Sequence, residues 1–175
     1  MKKIKLTQGK YALVDNEDFK KINKYKWYAA YQPTSRNYSA VRAKWSRTKK
    51  RNQTIYMHRI IINAPKYMSV DHIDHNSLDN QKNNLRICTT RDNNRNVVRR
   101  KDNKSGYKGV WKKDEYLPKT NKDRKISRKV WISKIGINGR QIPLGLFFSP
   151  IDAAKAYNKA AKKYFGEFAY LNKIS

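Results

Sequence analysis

Asp71 and His72 stand side by side in a stretch free of basic residues, inside a chain otherwise crowded with them. Between Lys66 and Lys82 there is no Lys or Arg, and the run Val70-Asp71-His72-Ile73-Asp74-His75-Asn76-Ser77-Leu78-Asp79-Asn80 carries three Asp. An acidic, His- and Asn-rich island of this kind suits a cation. A hard divalent ion takes oxygen ligands from Asp or Asn, and a base working near neutral pH is most simply a histidine. Those are the parts that phosphodiester hydrolysis needs: a base to take a proton from water, and positive charge to stabilise the phosphorane and the leaving oxygen. The Asn-rich segment Arg91-Asp92-Asn93-Asn94-Arg95-Asn96 offers a second oxygen donor. An isolated Asp-His pair is more often a hydrogen-bonded surface pair, so the case rests on what accompanies it.

The partner is set by charge. Lys and Arg total 41 against 13 Asp and Glu in 175 residues, a formal net charge of +28. Such a chain repels itself when compact and suits a polyanion; neutralising phosphates releases counterions, which favours nucleic acid. An anionic membrane is the rival, but no long apolar run, signal peptide or lipidation pattern is present, so no membrane association is expected. With 38% hydrophobic and 12% aromatic residues the chain can fold. A single cysteine, Cys88, excludes an intramolecular disulfide and a cysteine-based zinc cluster. The expected location is the cytoplasm of a bacterium or a phage-infected host.

Several short elements must position these residues. Residues 1–57 alternate β-like runs with turns: an edge strand at Met1 to Lys5, Tyr11 to Val14, Trp27 to Tyr31, Tyr38 to Val41 and Thr54 to Met57. Asp15 or Asn16 caps a short helix reaching about Tyr25, with Phe19 and Ile22 on one face. The turn before Thr54 gathers Arg42, Lys44, Arg47, Lys49, Lys50 and Arg51, a set suited to a phosphate backbone. Val70 to His72 and Asn84 to Thr89 read as strands around a polar loop, followed by a helical segment from Thr90 to Val98. Neighbours in a strand face opposite ways, so Asp71 and His72 converge only at a strand end or bulge. Residues 99–105 have no hydrophobic side chain and read as a linker. Beyond it, Tyr107 to Trp111, Lys129 to Ile135 and Gln141 to Phe147 form an antiparallel sheet, the last two joined at Asn138-Gly139. Ser149 as N-cap, Pro150 at N1, an alanine-rich face and a terminal Gly166 mark the clearest helix.

Two resemblances follow. Val70-Asp71-His72-Ile73-Asp74, then Asn84-Leu85-Arg86, then Asn93, with Met57-His58-Arg59-Ile60-Ile61-Ile62 upstream, resembles the His-Asn-His (HNH) nucleases of the ββα-metal fold, including homing enzymes of phages and introns. Eleven residues separate His72 from Asn84, and eight separate Asn84 from Asn93. The resemblance implies His72 as general base and Asn84 as the residue that fixes the His72 loop. It implies Asp71 and Asn93 as ligands of one divalent cation, Mg²⁺, with Mn²⁺ able to substitute. Asn94 and Asn96 carry the same donor within three residues of Asn93. His58 is read as structural or as a phosphate contact, and Cys88 as buried.

Ser105-Gly106-Tyr107-Lys108-Gly109-Val110, Val130-Trp131-Ile132, Leu144-Gly145-Leu146-Phe147, Asp152-Ala153-Ala154-Lys155-Ala156-Tyr157 and Leu171-Asn172 resemble the plant ethylene-response-factor DNA-binding domain. That family lays a three-stranded sheet in the major groove. The resemblance implies Lys108, Trp111 and Lys113 on strand one, and Trp131 and Lys134 on strand two, as DNA contacts. Pro143 and Gln141 depart from its third strand. Alternation alone leaves Trp131 equally suited to the groove and to the core.

The sequence therefore predicts an α+β chain: an HNH nuclease domain with a β-rich N-terminal extension (1–98), a linker (99–105) and a sheet-plus-helix DNA reader (106–175). The expected activity is metal-dependent, homing-type DNA endonuclease acting on double-stranded DNA, with no obligate protein partner. Lys49, Lys50 and Arg51 supply phosphate contacts. A non-catalytic regulator would leave Asp71, His72, Asn84 and Asn93 without a purpose, and neither motif set predicts a ribosomal-type RNA binder.

Overall fold

The computed structural model describes residues 1–33, 36–97, 102–116 and 127–174. They fall into two compact units, Met1–Asn93 and Asn94–Ser175, each with mixed α and β structure built on small antiparallel sheets. No helix among the described residues is long and apolar enough to cross a membrane.

In the first unit, β1 (Lys2–Lys5) and β2 (Tyr11–Val14) form a hairpin whose inward residues Ile4, Ala12 and Val14 are buried, while its lysines stay in water. Helix α1 (Asn16–Ile22) follows, shorter than predicted. Asp15 stands at its N-cap, but its side chain makes no cap bond; Oδ2 accepts instead from the Lys82 backbone N–H at 2.8 Å. Strands β3 (Tyr28–Gln32), β4 (Asn37–Ser46) and β5 (Arg51–Tyr56) form an antiparallel sheet in chain order. β4 and β5 are longer than their hydrophobic runs suggest, so Arg42, Lys44 and Arg51 are strand residues and only 47–50 make the turn. Helix α2 (Met57–Ile61) sends Met57 and Ile61 into the core with Ile4, Leu6, Val14, Ile22, Trp27 and Ala40.

The chain then runs through β6 (Ser69–His72), a polar loop ending in one 3₁₀ turn, β7 (Leu85–Cys88) and α3 (Thr90–Arg95). Leu85 reaches into the common core, which fixes the β6–β7 hairpin to the rest of the unit. Val98, the last residue of the predicted helical segment, lies outside the described residues, as do 99–101 of the predicted linker.

The remainder of that linker is not loose. Asn103 Nδ2 donates to the carbonyls of Tyr107 (2.9 Å) and Val110 (3.3 Å), and Ser105 Oγ donates to Val110 O at 2.8 Å. Side-chain oxygens and amides here do the work that apolar anchors do elsewhere, which a reading of hydrophobicity does not register.

In the second unit β8 (Val110–Tyr116), β9 (Ser127–Ile137) and β10 (Arg140–Phe147) form an antiparallel sheet in the order β10-β9-β8. The first strand begins three residues later than predicted, because Tyr107, Lys108 and Gly109 belong to the turn tied by Asn103 and Ser105. Residues 117–126, between β8 and β9, lie outside the described residues. Asn138 and Gly139 both have positive φ (50° and 79°), the two-residue turn that matches strand twist. The register shifts between Pro143 and Gly145, a bulge where Pro lacks a ladder donor. Helix α4 (Pro150–Phe165) is capped by Ser149, whose Oγ accepts from Ile151 N at 3.1 Å, and ends at Gly166. Its Ala153, Ala154, Tyr157, Ala160 and Ala161 lie against Val110 and Ile135 of the sheet. Small side chains let the helix approach closely.

Candidate active site

The β6–β7 hairpin pairs Asp71 with Arg86 and His72 with Leu85, without a register shift. Regular alternation starts the two side chains on opposite faces with no bulge between them, but His72 is the last residue of β6, and the Asp71 charge still reaches its ring. Asp71 is buried, and its Oδ2 accepts from Arg86 Nε (2.8 Å) and Nη2 (2.6 Å). On the same face Ser69 Oγ meets Thr90 Oγ1 of α3 at 3.3 Å, so α3 borders the Asp71 side of the hairpin. The Cys88 thiol lies there too, buried as expected. Its pKa is pushed up first by burial and then by the Asp71 charge.

His72, the last residue of β6, is buried on the other face. Its Nε2 lies 3.4 Å from Asn80 Oδ1, and its ring meets His58 edge to face at 5.2 Å between centroids. Burial lowers the His72 pKa, against the opposing pull of the Asn80 bond and of Asp74, Asp71 and Asp79. His58 is lowered further, to about 3, by burial, then by His72 and Arg59. It stacks on Tyr56 at 5.4 Å, and its Nδ1 is buried without a hydrogen-bond partner. Burial thus disfavours the charged form of both imidazoles. His58 adjoins His72 although thirteen residues separate them in the chain, a contact that tertiary packing makes.

Asn84 organises the loop between the strands. Its Oδ1 accepts from Asp74 N (3.0 Å), and its Nδ2 donates to Asp74 Oδ1 (2.8 Å) and to Asp79 O (2.9 Å). Ile73 N donates to Asn84 O. The loop is also tied to the first hairpin, where Leu13 N donates to Leu78 O and Asn80 N to Leu13 O. It meets the sheet as well, through Ser77 Oγ on Tyr38 O and Asn37 Nδ2 on His75 O.

Asp74 and Asp79 of the acidic island serve the loop itself. Asp74 Oδ1 also accepts from Asn76 N, and Asp79 accepts from Gln81. No three His, Cys, Asp or Glu side chains cluster for a metal among the described residues. The carboxylates act as turn builders because a reversing loop has backbone amides to satisfy. Asp71 and Asn93 remain compatible with a hard divalent cation. Both are oxygen donors, and Asp71 Oδ2 is engaged by the Arg86 guanidinium. Asn93 is half-buried in α3 and is the last residue of the first unit, whereas Asn94 is exposed and Asn96 lies beyond the helix.

The proposed DNA contacts separate into three settings. Lys49, Lys50 and Arg51 are exposed at the β4–β5 turn. Trp111, Lys113 and Lys134 stand on the sheet face away from α4, where Trp111 is 47% exposed and pairs across the ladder with Ile132. Trp131 is a correction: cross-strand from Phe147 and Lys112, it packs with Val110, Ala153 and Ala154 on the helix side. The parity of the β9 register decides this, and it is not visible before pairing is known. Lys108 is a second correction, being a turn residue and not a residue of the first strand. Its ammonium donates to the carbonyls of Arg95 (2.8 Å) and Val97 (2.6 Å), near the Tyr170 ring, and burial brings its pKa down to about 8.

Among curated proteins, an uncharacterised HNH endonuclease of Acanthamoeba polyphaga mimivirus is similar to this chain. It is 31% identical over 169 residues, which are 95% of this chain and 77% of the relative. No family model and no solved structure matches the chain.

Proposed function

The chain belongs to the HNH endonucleases and is a DNA nuclease; from that premise we propose a metal-dependent, homing-type enzyme that hydrolyses phosphodiester bonds in duplex DNA at one ββα-metal site. The observation that carries the reading is the β6–β7–α3 succession with His72 buried at the end of its first strand. In this reading His72 takes the proton of the attacking water. Asn80, at its Nε2, orients the ring, and Asn84 holds the loop that leads away from it. Asp71 and Asn93 would hold one divalent cation, Mg²⁺ or Mn²⁺, with water and phosphate oxygens completing its coordination. When bound, the ion supplies positive charge for the phosphorane and the leaving oxygen. Arg86 would then exchange one oxyanion partner for another, from the carboxylate to the phosphate.

The second unit serves as the DNA-reading element. A three-stranded sheet backed by an alanine-rich helix, with Trp111, Lys113 and Lys134 on its open face, favours a sheet laid in the major groove. Incubating supercoiled plasmid carrying random inserts with the chain in Mg²⁺, Mn²⁺ or EDTA tests the metal requirement. Cutting is expected with either ion and not in EDTA, and undiminished cutting in EDTA would overturn the proposal.

A further inference from the structure

The β4–β5 hairpin outruns its sheet. β3 pairs with β4 only from Asn37 to Val41, so Arg42 to Ser46 pair with β5 alone and project as a two-stranded ribbon. At about 3.4 Å per residue this free part is roughly 15–20 Å long before its turn. Residues 42–56 contain six Lys or Arg and no Asp or Glu.

The two faces of the ribbon differ. Register places Lys44, Gln53 and Arg51 on one face; Ala43, Trp45, Asn52 and Thr54 share the other, with Trp45 opposite Asn52 and Ala43 opposite Thr54. All four of the latter are exposed, Trp45 by 59%. Uncharged, hydrogen-bonding and apolar side chains flanked by lysine and arginine are the wrong composition for a merely solvated hairpin tip. A solvated tip has no reason to hold an uncharged face carrying Trp. B-DNA's major groove is about 12 Å wide and admits a two-stranded ribbon. Asn can pair with the N6 and N7 positions of adenine, while Ala and the Thr methyl contact thymine methyl groups.

We propose that the free β4–β5 ribbon is a second base-reading element: Asn52, Thr54 and Trp45 face base edges in the major groove near the cut, while Lys44, Arg51 and the turn lysines hold the phosphate walls. This goes beyond assigning selectivity to the second unit, and it rests on the reading of the chain as DNA-selective. The occupant is B-form duplex DNA, because the deep, narrow major groove of A-form RNA excludes such a ribbon.

The test is selection from a random 30-base-pair duplex library (about three helical turns) by the full chain carrying His72→Ala, in EDTA so that binding is read without cutting. The selection is repeated with Asn52→Ala and Thr54→Ala added, and separately with Trp45→Ala. All proteins are first matched for thermal unfolding, and the same library is presented as double-stranded RNA. The parent should enrich a motif with two separable blocks. The Asn52/Thr54 variant should lose an adenine–thymine-rich block of about three or four base pairs, with target preference there falling roughly 10-fold or more, while the other block and binding to random duplex stay within about 2-fold. Trp45→Ala should weaken the same block. An unchanged motif in the variants, an equal loss across both blocks, or a motif recovered on RNA that depends on these residues each overturns the ribbon's role. Failure of the parent to enrich any DNA motif overturns it as well, and only that outcome also removes the DNA-selective reading.

Discussion

In the proposed mechanism Arg86 and a divalent cation would compete for one carboxylate, which makes the Asp71–Arg86 pair the most informative contact at the level of single residues. Both side chains are nearly out of water, and the guanidinium gives two short bonds to one oxygen. Removing one partner of a buried pair strands the other as a charge in a poor solvent. Arg86→Ala should therefore cost about 3 kcal/mol of stability in EDTA, measured by urea unfolding. A cation bound at Asp71 favours the folded state by mass action, so millimolar Mg²⁺ should recover part of that loss in the variant. An Arg86→Ala protein equally unstable with and without Mg²⁺ would place the metal away from Asp71. His58 belongs to the same scale. Its unpartnered Nδ1 and lowered pKa come from burial beside His72, and nothing in the spacing of the motif announces that the two rings touch.

Elements decide how those residues are held. Three hydrogen bonds of Asn84 close the loop between β6 and β7, and Asn84→Ala removes them all. At about 1 kcal/mol each the loss is partly offset by water, so roughly 2 kcal/mol of stability is expected. Hydrogen exchange in residues 73–81 should accelerate, and cleavage should slow at unchanged DNA affinity. Unaltered exchange there would show that the ties to β2 and the sheet suffice. In the second unit Gly109 has φ +74°, and a Cβ placed on it would lie 2.0 Å from the Tyr157 ring and 2.8 Å from Lys134 O. Gly109→Ala should destabilise that unit by roughly 3 kcal/mol, combining a strained conformation with overpacking; a loss under about 1 kcal/mol, read by thermal unfolding, would mean that α4 shifts aside.

The elements were largely legible in the sequence because they rest on local signals: alternation in β1 and β2, Asn138-Gly139 between β9 and β10, and Ser149-Pro150 opening α4. What escaped depends on pairing or packing between distant segments. The side of the sheet taken by Trp131 and the meeting of His58 with His72 both follow from registers and packing that no single segment encodes. Asp71 shows both sides of this. Its place in a hairpin strand was readable from the run Val70 to His72, but its partner Arg86 became identifiable only once β6 and β7 were aligned.

At the scale of the whole molecule, affinity and chemistry are carried by different residues. In the proposed function a net charge of +28 spread over both units would supply a binding term that falls with salt, common to any duplex. Phosphodiester hydrolysis is assigned to a patch of a few side chains from which lysine is nearly absent. His72 touches Asn80 and His58 and forms no ion pair among the described residues, so its removal should leave the binding surface intact. Single-turnover cleavage of supercoiled plasmid by the chain and by His72→Ala in Mg²⁺, with duplex affinity measured for both in EDTA across a salt series, tests this division directly. The account predicts a fall of roughly 10²–10⁴ in cleavage rate, with affinity and its salt dependence within about 2-fold. Cleavage by His72→Ala at the unmodified rate would contradict it, as would a loss of DNA binding equal to the loss of cutting.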